Sequence, residues 1–361
     1  MARKNLARNI CEVLKDKIRN GEYPPNSPLP SNAELKRKFG VSLITANRAV
    51  CELAAAGLVY RERGRGTYVS ATASGNGRHF RIGLADSLDS PESPVFNAAL
   101  NVRPLTLSRH LEELGHEVQY MDYETALDPQ RLSAAAENLD GLIISRSYLD
   151  PVTMPNFLVL KLPLLVINGE SIMEESFNQI VTDDRPGSRQ AAAAAMKYDF
   201  PETVIVYENH GNGIQRRDSF RSALTELGYD PKKIREECLE TPALQQGAFS
   251  YRMGRKLCGR LAGKLLYVTS DVVSFCMLEA FRDHGLEAGR DFQMLSYDNL
   301  EDYGYRPYGV PVLTSIDAPK IKMPRRAAEL MIHLIEHPAE DSVILRIPTS
   351  LVIRKTAFSK E

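Results

Sequence analysis

The sequence predicts an α+β winged helix-turn-helix followed by a two-lobed α/β domain with parallel sheets. Three observations support this fold class. Two apolar helical patterns follow each other across a glycine turn in residues 30–57 and lead into a hairpin pattern. From residue 81 onwards, short apolar strands alternate with helices, a pattern typical of parallel sheets covered on both faces. About 280 residues of this pattern suit two lobes better than one.

The helix-turn-helix prediction rests on capping residues and apolar spacing. Ser31 precedes Glu34 by three residues, the spacing of a capping box at a helix start. Gly40 supplies the positive φ that ends a helix. Ser42 is the next candidate N-cap, and apolar residues recur at intervals of three and four through residues 46–53. Two helices joined by so short a turn predict a helix-turn-helix.

A glycine-rich hairpin follows the third helix. Gly57 is predicted to end that helix, and residues 58–62 and 67–70 can pair around Arg63-Gly64-Arg65-Gly66. The glycines of such a turn allow the arginines to approach a phosphate backbone or a minor groove closely. This hairpin is the predicted wing.

Polar and basic residues outside the apolar faces indicate contact with nucleic acid. The early residues of a recognition helix present their side chains to base edges in the major groove. The candidate DNA-binding residues are Ser31, Ser42, Leu43, Thr45, Asn47, Arg48, Arg63, Gly64, Arg65 and Gly66. The alternative is a small structural helical bundle with a solvated charged face. The Arg-Gly-Arg-Gly hairpin at the expected distance argues against that alternative.

Charge is distributed unevenly along the chain. Residues 1–70 contain 13 Lys and Arg against 6 Asp and Glu, whereas the remainder contains 32 against 40. A basic head on an acidic body predicts that the nucleic-acid contact is confined to the N-terminus. The five cysteines form no CxxC pair and no metal-ligand spacing, so we expect reduced thiols and no metal site.

The segments LPSNAELKRKFGVS, TANRAV and GLVYRERGRGTYV occur in this order within residues 29–69. With them, residues 6–70 resemble the winged-helix domain of GntR-type bacterial regulators. Members usually carry Arg at the positions of Leu43 and Asn47, where it reads guanine in relatives, so the operator sequence does not carry over. Leu43 would suit a thymine methyl group, and Asn47 an adenine edge or a phosphate.

The polar residues just after the predicted strands form a second candidate site. Ligands in parallel α/β sheets bind at the carboxyl ends of the strands. The candidate effector-binding residues of this kind are Asp86, Ser87, Arg146, Asn168, Ser270 and Asp298. Arg216 is a further candidate, because it opens a helix just after the glycine-flanked segment 211–213 and could aim its guanidinium inward. For each of them the alternative is a helix N-cap or a turn residue. Asp271 is predicted to cap the helix that follows it.

The segments LDGLIIS, LPLLVIN, RRDSFRSALTELG, YVTSD, MLSYDN, LTSIDAP and IPTSLVIR occur in this order between residues 139 and 354. With them, residues 81–356 resemble LacI/GalR-type regulators, whose domain is similar to periplasmic sugar-binding proteins. The resemblance implies that Arg216 clamps a sugar effector and Asp298 bonds its hydroxyls. It also implies ligand contacts for Ser270 and Asn168. Ser296 stands where the family usually has a glycine before Tyr297. Residues 87–105 lack the sequence that family members usually carry in the lobe 1 wall of the pocket.

The domain boundaries follow from these patterns and resemblances. Residues 1–70 are the predicted DNA-binding domain, and residues 71–80, small and polar at first, are a linker. Residues 81–361 are the predicted effector-binding and dimerisation domain. Lobe 1 comprises approximately residues 81–183 and 316–340, and lobe 2 approximately residues 184–315 and 341–361. The expected partners are double-stranded operator DNA, a sugar effector and a second copy of the chain.

Two other classes of protein were weighed. Some GntR-type heads precede a pyridoxal-phosphate aminotransferase body, which needs a Schiff-base lysine at a strand or loop end. No lysine lies in such a context, and no GxSxG, HExxH, P-loop or complete GxGxxG occurs. A transport-binding protein requires export, but the first 20 residues lack the apolar core of a signal peptide. We therefore expect a cytoplasmic bacterial transcriptional repressor without catalytic residues, metal or cofactor.

Overall fold

The computed structural model describes residues 2–19, 21–24, 26–55, 58–62, 66–70, 79–86, 102–168, 177–240, 246–338 and 341–359. The chain divides into two compact units, Met1–His79 and Phe80–Glu361. In the described ranges, no helix combines the length and the apolar content needed to cross a bilayer.

The first unit is a helix-turn-helix with a short hairpin. Its elements are α1 (Ala2–Arg19), α2 (Asn32–Phe39), α3 (Leu43–Ala55), β1 (Val59–Glu62) and β2 (Gly66–Val69), with β1 and β2 antiparallel. Ser31 and Glu34 form the predicted capping box at the start of α2, and Gly40 ends that helix with φ 63°. The winged helix-turn-helix prediction is therefore confirmed. Gly57 lies outside the described residues.

A single apolar core holds this unit together. It is formed by one face of each helix and by the inward residues of the hairpin, among them Leu14, Ile18, Leu35, Val50, Leu53, Val59 and Val69. Residues 26–29 run antiparallel to β2, with the Leu29 N–H donating to the Thr67 carbonyl at 2.8 Å. The hairpin is thus fixed to the helices on one side and to an extended segment on the other.

The second unit contains two α/β lobes. Lobe 1 begins with β3 (Arg81–Ala85), α4 (Val102–Glu113), β4 (Glu117–Met121), α5 (Tyr123–Leu127), α6 (Pro129–Ala136), β5 (Gly141–Ser145), α7 (Met154–Leu158), β6 (Leu164–Asn168) and β7 (Asn178–Asp183). Lobe 2 follows with α8 (Asp184–Ala195), β8 (Thr203–Glu208), α9 (Gly211–Glu226), β9 (Ile234–Leu239), α10 (Gln246–Leu257), β10 (Leu265–Val268), α11 (Asp271–Asp283), β11 (Gln293–Tyr297) and β12 (Thr314–Asp317). The chain ends with α12 (Lys322–Glu336), β13 (Ile344–Pro348) and β14 (Ser350–Val352).

Each lobe is built on one six-stranded sheet in the described part of the chain. The strand order is β13-β7-β6-β5-β3-β4 in lobe 1 and β14-β12-β11-β10-β8-β9 in lobe 2. Neighbouring strands are parallel except β12 and β14, which are antiparallel. The central strands β5 and β10 are buried along their whole length, as expected for sheets covered on both faces. The predicted fold class is confirmed.

The chain passes between the lobes three times, after β7, after β12 and after β13. Two of these crossovers are joined, because the Thr349 hydroxyl donates to the Asp183 carbonyl at 2.9 Å and accepts from the Gly187 N–H at 3.2 Å. A Cβ on Gly187 would lie 2.6 Å from both Ile316 and Thr349. Only glycine lets α8 start this close to the other two crossovers.

The predicted lobe boundaries differ from the observed sheets at two places. β13 pairs with β7 in lobe 1, whereas residues 341–361 were all assigned to lobe 2. β12 pairs with β11 in lobe 2, so the boundary at residue 316 was placed too early. β13 is a half-exposed edge strand whose partner lies far earlier in the chain, and local sequence carries no signal for such a pairing.

Candidate functional site

The first turn of α3 exposes two apolar side chains. Leu43 is 52% exposed and Ile44 is 82% exposed. An apolar side chain at the start of a recognition helix can pack on the methyl group of thymine. Leu43 was predicted from the sequence and Ile44 was missed. The sequence did indicate that Ile44 is exposed, because the polar Asn47 and Arg48 follow it by three and four positions and so share its face of the helix.

The predicted serine and threonine side chains hold the helix starts in place. The Ser42 hydroxyl accepts the Thr45 N–H at 3.1 Å and lies 2.8 Å from the Thr45 hydroxyl. The Ser31 hydroxyl accepts the Glu34 N–H at 3.3 Å within the capping box. These local bonds orient the amino ends of α2 and α3, and DNA contact by these three hydroxyls stays a prediction.

Asn47 connects the two helices of the motif with the hairpin. Its side-chain carbonyl Oδ1 accepts a hydrogen bond from Asn32 Nδ2 at 3.1 Å and another from Arg61 Nη2 at 2.8 Å. Arg61 Nη2 also lies 3.5 Å from Cys51 Sγ on α3. Asn32 and Arg61 were not among the residues singled out from the sequence, because their pairing with Asn47 depends on the fold.

The remaining DNA-binding candidates are basic residues and glycines. Arg48 forms an ion pair with Glu52 one turn later at 3.4 Å, and both side chains are largely exposed. Exposed pairs of this kind are worth at most about 1 kcal/mol, so a phosphate can compete for Arg48. Gly66 begins β2 with φ 134°. Arg63, Gly64 and Arg65 lie outside the described residues.

Arg216 and Asp298 lie together at the carboxyl ends of the lobe 2 strands. Arg216 projects from the first turns of α9, and its Nη2 lies 3.1 Å from Asp298 Oδ1. Its Nη1 donates to the Thr269 carbonyl at 2.8 Å. The guanidinium also stacks on the Tyr297 ring at 3.9 Å from the ring centre. The structure therefore brings together two residues that lie far apart in sequence and were both predicted from it.

A third charged residue completes this group. Lys320, in the crossover between β12 and α12, places its Nζ 3.4 Å from Asp298 Oδ1. Burial alone would raise the pKa of Asp298, but the charges of Arg216 and Lys320 hold that pKa below its usual value. Burial would lower the pKa of Arg216, but Asp298, Tyr297 and Asp184 together outweigh it and raise that pKa. Arg216 and Asp298 thus form an ionised pair.

Asp184 links this group to the first crossover. The Tyr297 hydroxyl donates to its Oδ1, and Gln215 Nε2 donates to its Oδ2 at 2.9 Å. Burial raises the pKa of the Asp184 carboxyl above its usual value. Since Asp184 is the first residue of α8, the ring on which Arg216 stacks is fixed directly to the point where the chain enters lobe 2.

The turn after β11 is held in an unusual backbone conformation. Asp298 and Asn299 both have positive φ, 118° and 54°. Non-glycine residues in this region cost energy and persist where the surroundings hold them. Asp271 supplies much of that support, because its carboxylate accepts the Leu300 N–H at 2.8 Å and the Ser315 hydroxyl at 2.9 Å.

One expectation for the start of α11 is corrected by this geometry. Asp271 was predicted to cap the helix, but it is the first helical residue, and Ser270 occupies the N-cap position. The carboxylate of Asp271 instead braces the neighbouring turn. Ser270 is buried and its hydroxyl makes no capping bond. An effector contact by Ser270 stays a prediction.

The lobe 1 candidates give a different picture. Asp86, at the end of β3, is buried, and Arg103 at the start of α4 donates to both of its oxygens, with Nη2 2.9 Å from Oδ1. Arg103 Nη2 also donates to the Ser145 hydroxyl at 3.1 Å. Arg146 donates to the Leu149 carbonyl from Nη1. Both oxygens of Asp86 are thus hydrogen-bonded to Arg103, a residue that was not singled out from the sequence.

Two lobe 1 candidates are not placed. Ser87 lies outside the described residues. Asn168 is the last residue of β6, and its side chain lies outside the described part of the structure.

Among the described residues, no three His, Cys, Asp or Glu side chains lie close enough together to hold a metal ion.

A cavity of about 820 Å³ lies between α8 and α9 and is also lined by the end of β7 and by Arg346 of β13. Asp184 and Gln215 line it, whereas Arg216 and Asp298 do not. The cavity therefore adjoins the charged group without containing it.

The chain thus joins a winged helix with an exposed recognition face to a two-lobed α/β domain with polar residues at its strand ends. Sequence comparison agrees. The profile of bacterial regulatory proteins of the gntR family matches residues 6–69, and that of the periplasmic binding protein-like domain matches residues 200–357. The chain therefore carries a GntR-type winged helix and a periplasmic-binding-protein-like domain, the two parts that the sequence resemblances predicted.

Individual relatives cover one or both parts. The arabinose metabolism transcriptional repressor of Halalkalibacterium halodurans is 24% identical over 371 residues, covering 97% of this chain and 96% of the repressor. The transcriptional repressor NagR of Bacillus subtilis is 49% identical over 61 residues, but this match covers only 17% of the chain and 25% of NagR. A LacI family transcriptional regulator from Enterococcus faecium with bound ribose superposes with a TM-score of 0.61 at 20% identity, covering 78% of this chain and 100% of that structure.

Proposed function

We propose that this protein is a bacterial transcriptional repressor whose affinity for its operator is controlled by a small sugar bound between the two lobes. The observation that carries the proposal is that one chain holds both kinds of site. Its strand ends carry the Arg216–Asp298–Lys320 group, and its recognition helix exposes Leu43, Ile44 and Asn47. In this proposal the protein works in the cytoplasm as a regulator and not as an enzyme, and it needs no cofactor.

Operator binding is supported by the chemistry of the first unit. Its net charge of +7 over residues 1–70 suits a polyanion, and the exposed apolar pair suits base edges rather than phosphates. One winged helix is too small to bind tightly alone. We therefore propose a homodimer that reads two half-sites related by two-fold symmetry.

Sugar binding is supported by the chemistry at the strand ends. A sugar carries many hydroxyls and no charge, so its pocket needs strong donors and acceptors in fixed positions. The guanidinium of Arg216 donates several bonds, and the carboxylate of Asp298 accepts from adjacent hydroxyls. The stacking of Arg216 on Tyr297 and the brace of Asp271 hold both groups in place before a ligand arrives.

The cavity between α8 and α9 is the alternative place for an effector. Its volume of about 820 Å³ would hold a sugar. However, neither Arg216 nor Asp298 lines it, and its Asp183 is paired with Arg185 at 2.8 Å. Ligands of parallel sheets bind at strand ends, and the Arg216–Asp298–Lys320 group lies there. We therefore place the sugar at the strand ends.

Titration calorimetry with a panel of mono- and disaccharides, alongside operator titrations, tests this proposal. The wild-type protein should bind one sugar and lose or gain operator affinity in its presence. Arg216→Ala should bind operator normally but bind the sugar about 10- to 150-fold more weakly, since each charge-assisted bond contributes roughly 1.5–3 kcal/mol. Arg217→Ala is the matched control, because Arg217 pairs with Asp218 at 2.8 Å and stacks on Tyr207 instead.

Two outcomes would contradict the proposal. If a sugar binds wild type and Arg216→Ala with equal affinity, the effector does not sit at the strand ends. If no DNA duplex from a randomised pool is retained at physiological salt, the protein is not an operator-binding regulator.

A further inference from the structure

We infer that Asn47 reads a hydrogen-bond acceptor on a base, with guanine preferred over adenine, because Arg61 and Asn32 hold its carboxamide as a pure donor. This inference rests on the proposed operator binding and assigns the chemistry that the recognition helix reads. It replaces the expectation from sequence that Asn47 would suit an adenine edge.

The orientation of the Asn47 amide is fixed by its neighbours. A guanidinium carries only donors, so the atom of Asn47 that faces Arg61 Nη2 at 2.8 Å must be the acceptor Oδ1. A flipped amide would set the NH2 group of Asn47 against that donor. Asn32 Nδ2 donates to the same Oδ1 at 3.1 Å. The two lone pairs of Oδ1 are both in use, which leaves the two N–H bonds of Nδ2 for the DNA.

The base preference follows from this orientation. An asparagine that reads adenine donates to N7 and accepts from the N6 amino group, so it needs a free Oδ1. With Oδ1 in use, Asn47 keeps the donor half of that pattern only. Guanine presents two adjacent acceptors, N7 and O6, in the major groove, whereas adenine presents N7 and thymine presents O4. Guanine alone matches two donors, so it should bind best.

The position of Asn47 on the helix agrees with this role. Asn47 is exposed and lies three and four residues after Ile44 and Leu43, so the three side chains share one face of α3. The apolar pair suits thymine methyl groups and Asn47 suits guanine. In this arrangement Arg61 and Asn32 are positioning residues, since they act on the base through Asn47.

Selection from a randomised duplex pool by the full-length protein, followed by sequencing, tests the inference. Wild type should enrich guanine at one position per half-site. Asn47→Asp keeps the acceptor for Arg61 and Asn32 but turns the outward group into an acceptor, so the enriched base should change to cytosine, whose N4 amino group donates. Arg61→Ala frees Oδ1 and should admit adenine at that position, whereas Arg61→Lys restores a donor and should keep guanine.

A base analogue supplies a second measurement. Replacing the enriched guanine by 7-deazaguanine removes the N7 acceptor and should weaken wild-type binding about 10-fold, a typical loss for one base contact. The same replacement should leave binding by Asn47→Ala unchanged. Each variant should keep the thermal unfolding profile of wild type, which shows that its winged helix is folded.

The outcomes separate this inference from the proposed function. If Asn47→Asp enriches the same base as wild type, Asn47 is only a structural brace and the inference is wrong. If Arg61→Ala still excludes adenine, the positioning role of Arg61 is wrong. If wild type retains no DNA at all, operator binding itself fails.

Discussion

Asp298 is the residue on which the proposed effector site depends most directly. Its carboxylate oxygen Oδ1 lies 3.1 Å from Arg216 Nη2 and 3.4 Å from Lys320 Nζ. Its backbone has a φ of 118°. A carboxylate between two cations keeps its charge despite burial, and it can turn one oxygen to a hydroxyl group while the other remains paired. This arrangement predicts that Lys320, which sequence reasoning missed, contributes to sugar affinity.

Lys320→Met should weaken sugar binding about 10-fold, because one charge-assisted bond is lost at the site while Arg216 still neutralises Asp298. Calorimetry with the sugar identified for wild type measures this change. Lys322→Met is the matched control, since Lys322 is exposed two residues later and loses the same charge. Equal sugar affinities for wild type and Lys320→Met would remove Lys320 from the site.

The residues of the site differ in how well sequence could predict them. Asp298 directly follows an apolar strand, so the rule that ligands bind at strand ends identifies it. Arg216 lies near the start of the helix after such a strand, and the family resemblance identified it. Lys320 and Arg103 follow no such rule, because each acquires its role from a carboxylate that only the fold brings near. Arg61 is similar, since its hydrogen bond joins the hairpin to a helix. Sequence therefore predicts the role of a residue better when that role depends on one helix or strand than when it depends on a contact between two.

At the scale of elements, the turn after β11 depends on the start of α11. Asp271 is fully buried there, accepts the Leu300 N–H and the Ser315 hydroxyl, and lies near the charged Asp298. Burial, with a further contribution from Asp298, raises the pKa of Asp271 from 3.8 to about 7. The folded protein therefore holds a proton that the unfolded chain releases between these two pH values.

This proton makes stability depend on pH with a defined sign. The contribution of protonated Asp271 is fully present below about pH 4 and is lost as pH rises towards 7. Asp271→Asn removes the titration, so the unfolding free energy of wild type relative to this variant should fall over that interval by at most about 4 kcal/mol. Urea unfolding at several pH values measures it. Asp199→Asn, at a fully exposed carboxyl, should keep the wild-type pH dependence. Parallel curves for wild type and Asp271→Asn would contradict the assignment.

The edge strands show what local sequence cannot predict about elements. The central strands are continuous apolar runs, and their order along the chain was predictable from that pattern. β13 and β14 are separated by a single residue, Thr349, and join different sheets. Their short, half-exposed sequences suit either lobe, so the assignment depends on which neighbouring strand has an unpaired edge. The misplaced boundary after residue 341 follows from that ambiguity.

At the scale of the whole molecule, charge separates the two functions. Residues 1–70 carry +7 and the remainder carries −8, so attraction to DNA is concentrated in the first unit while the second is repelled by it. A sugar without charge adds nothing to this balance. Any effect of the sugar on operator affinity must therefore arise from a change in conformation and not from direct electrostatics.

Such an effect has to be reciprocal. A coupling free energy of about 1–3 kcal/mol is usual between two binding sites, so saturating sugar should change operator affinity by a factor of roughly 5 to 150. Linkage then requires operator DNA to change sugar affinity by the same factor. Fluorescence anisotropy with labelled operator measures the first factor, and calorimetry with and without unlabelled operator measures the second. Arg216→Ala, at sugar concentrations that saturate wild type, should show neither change, whereas Arg217→Ala should show both. Unchanged operator affinity at saturating sugar would mean that the sugar is bound but does not control the repressor.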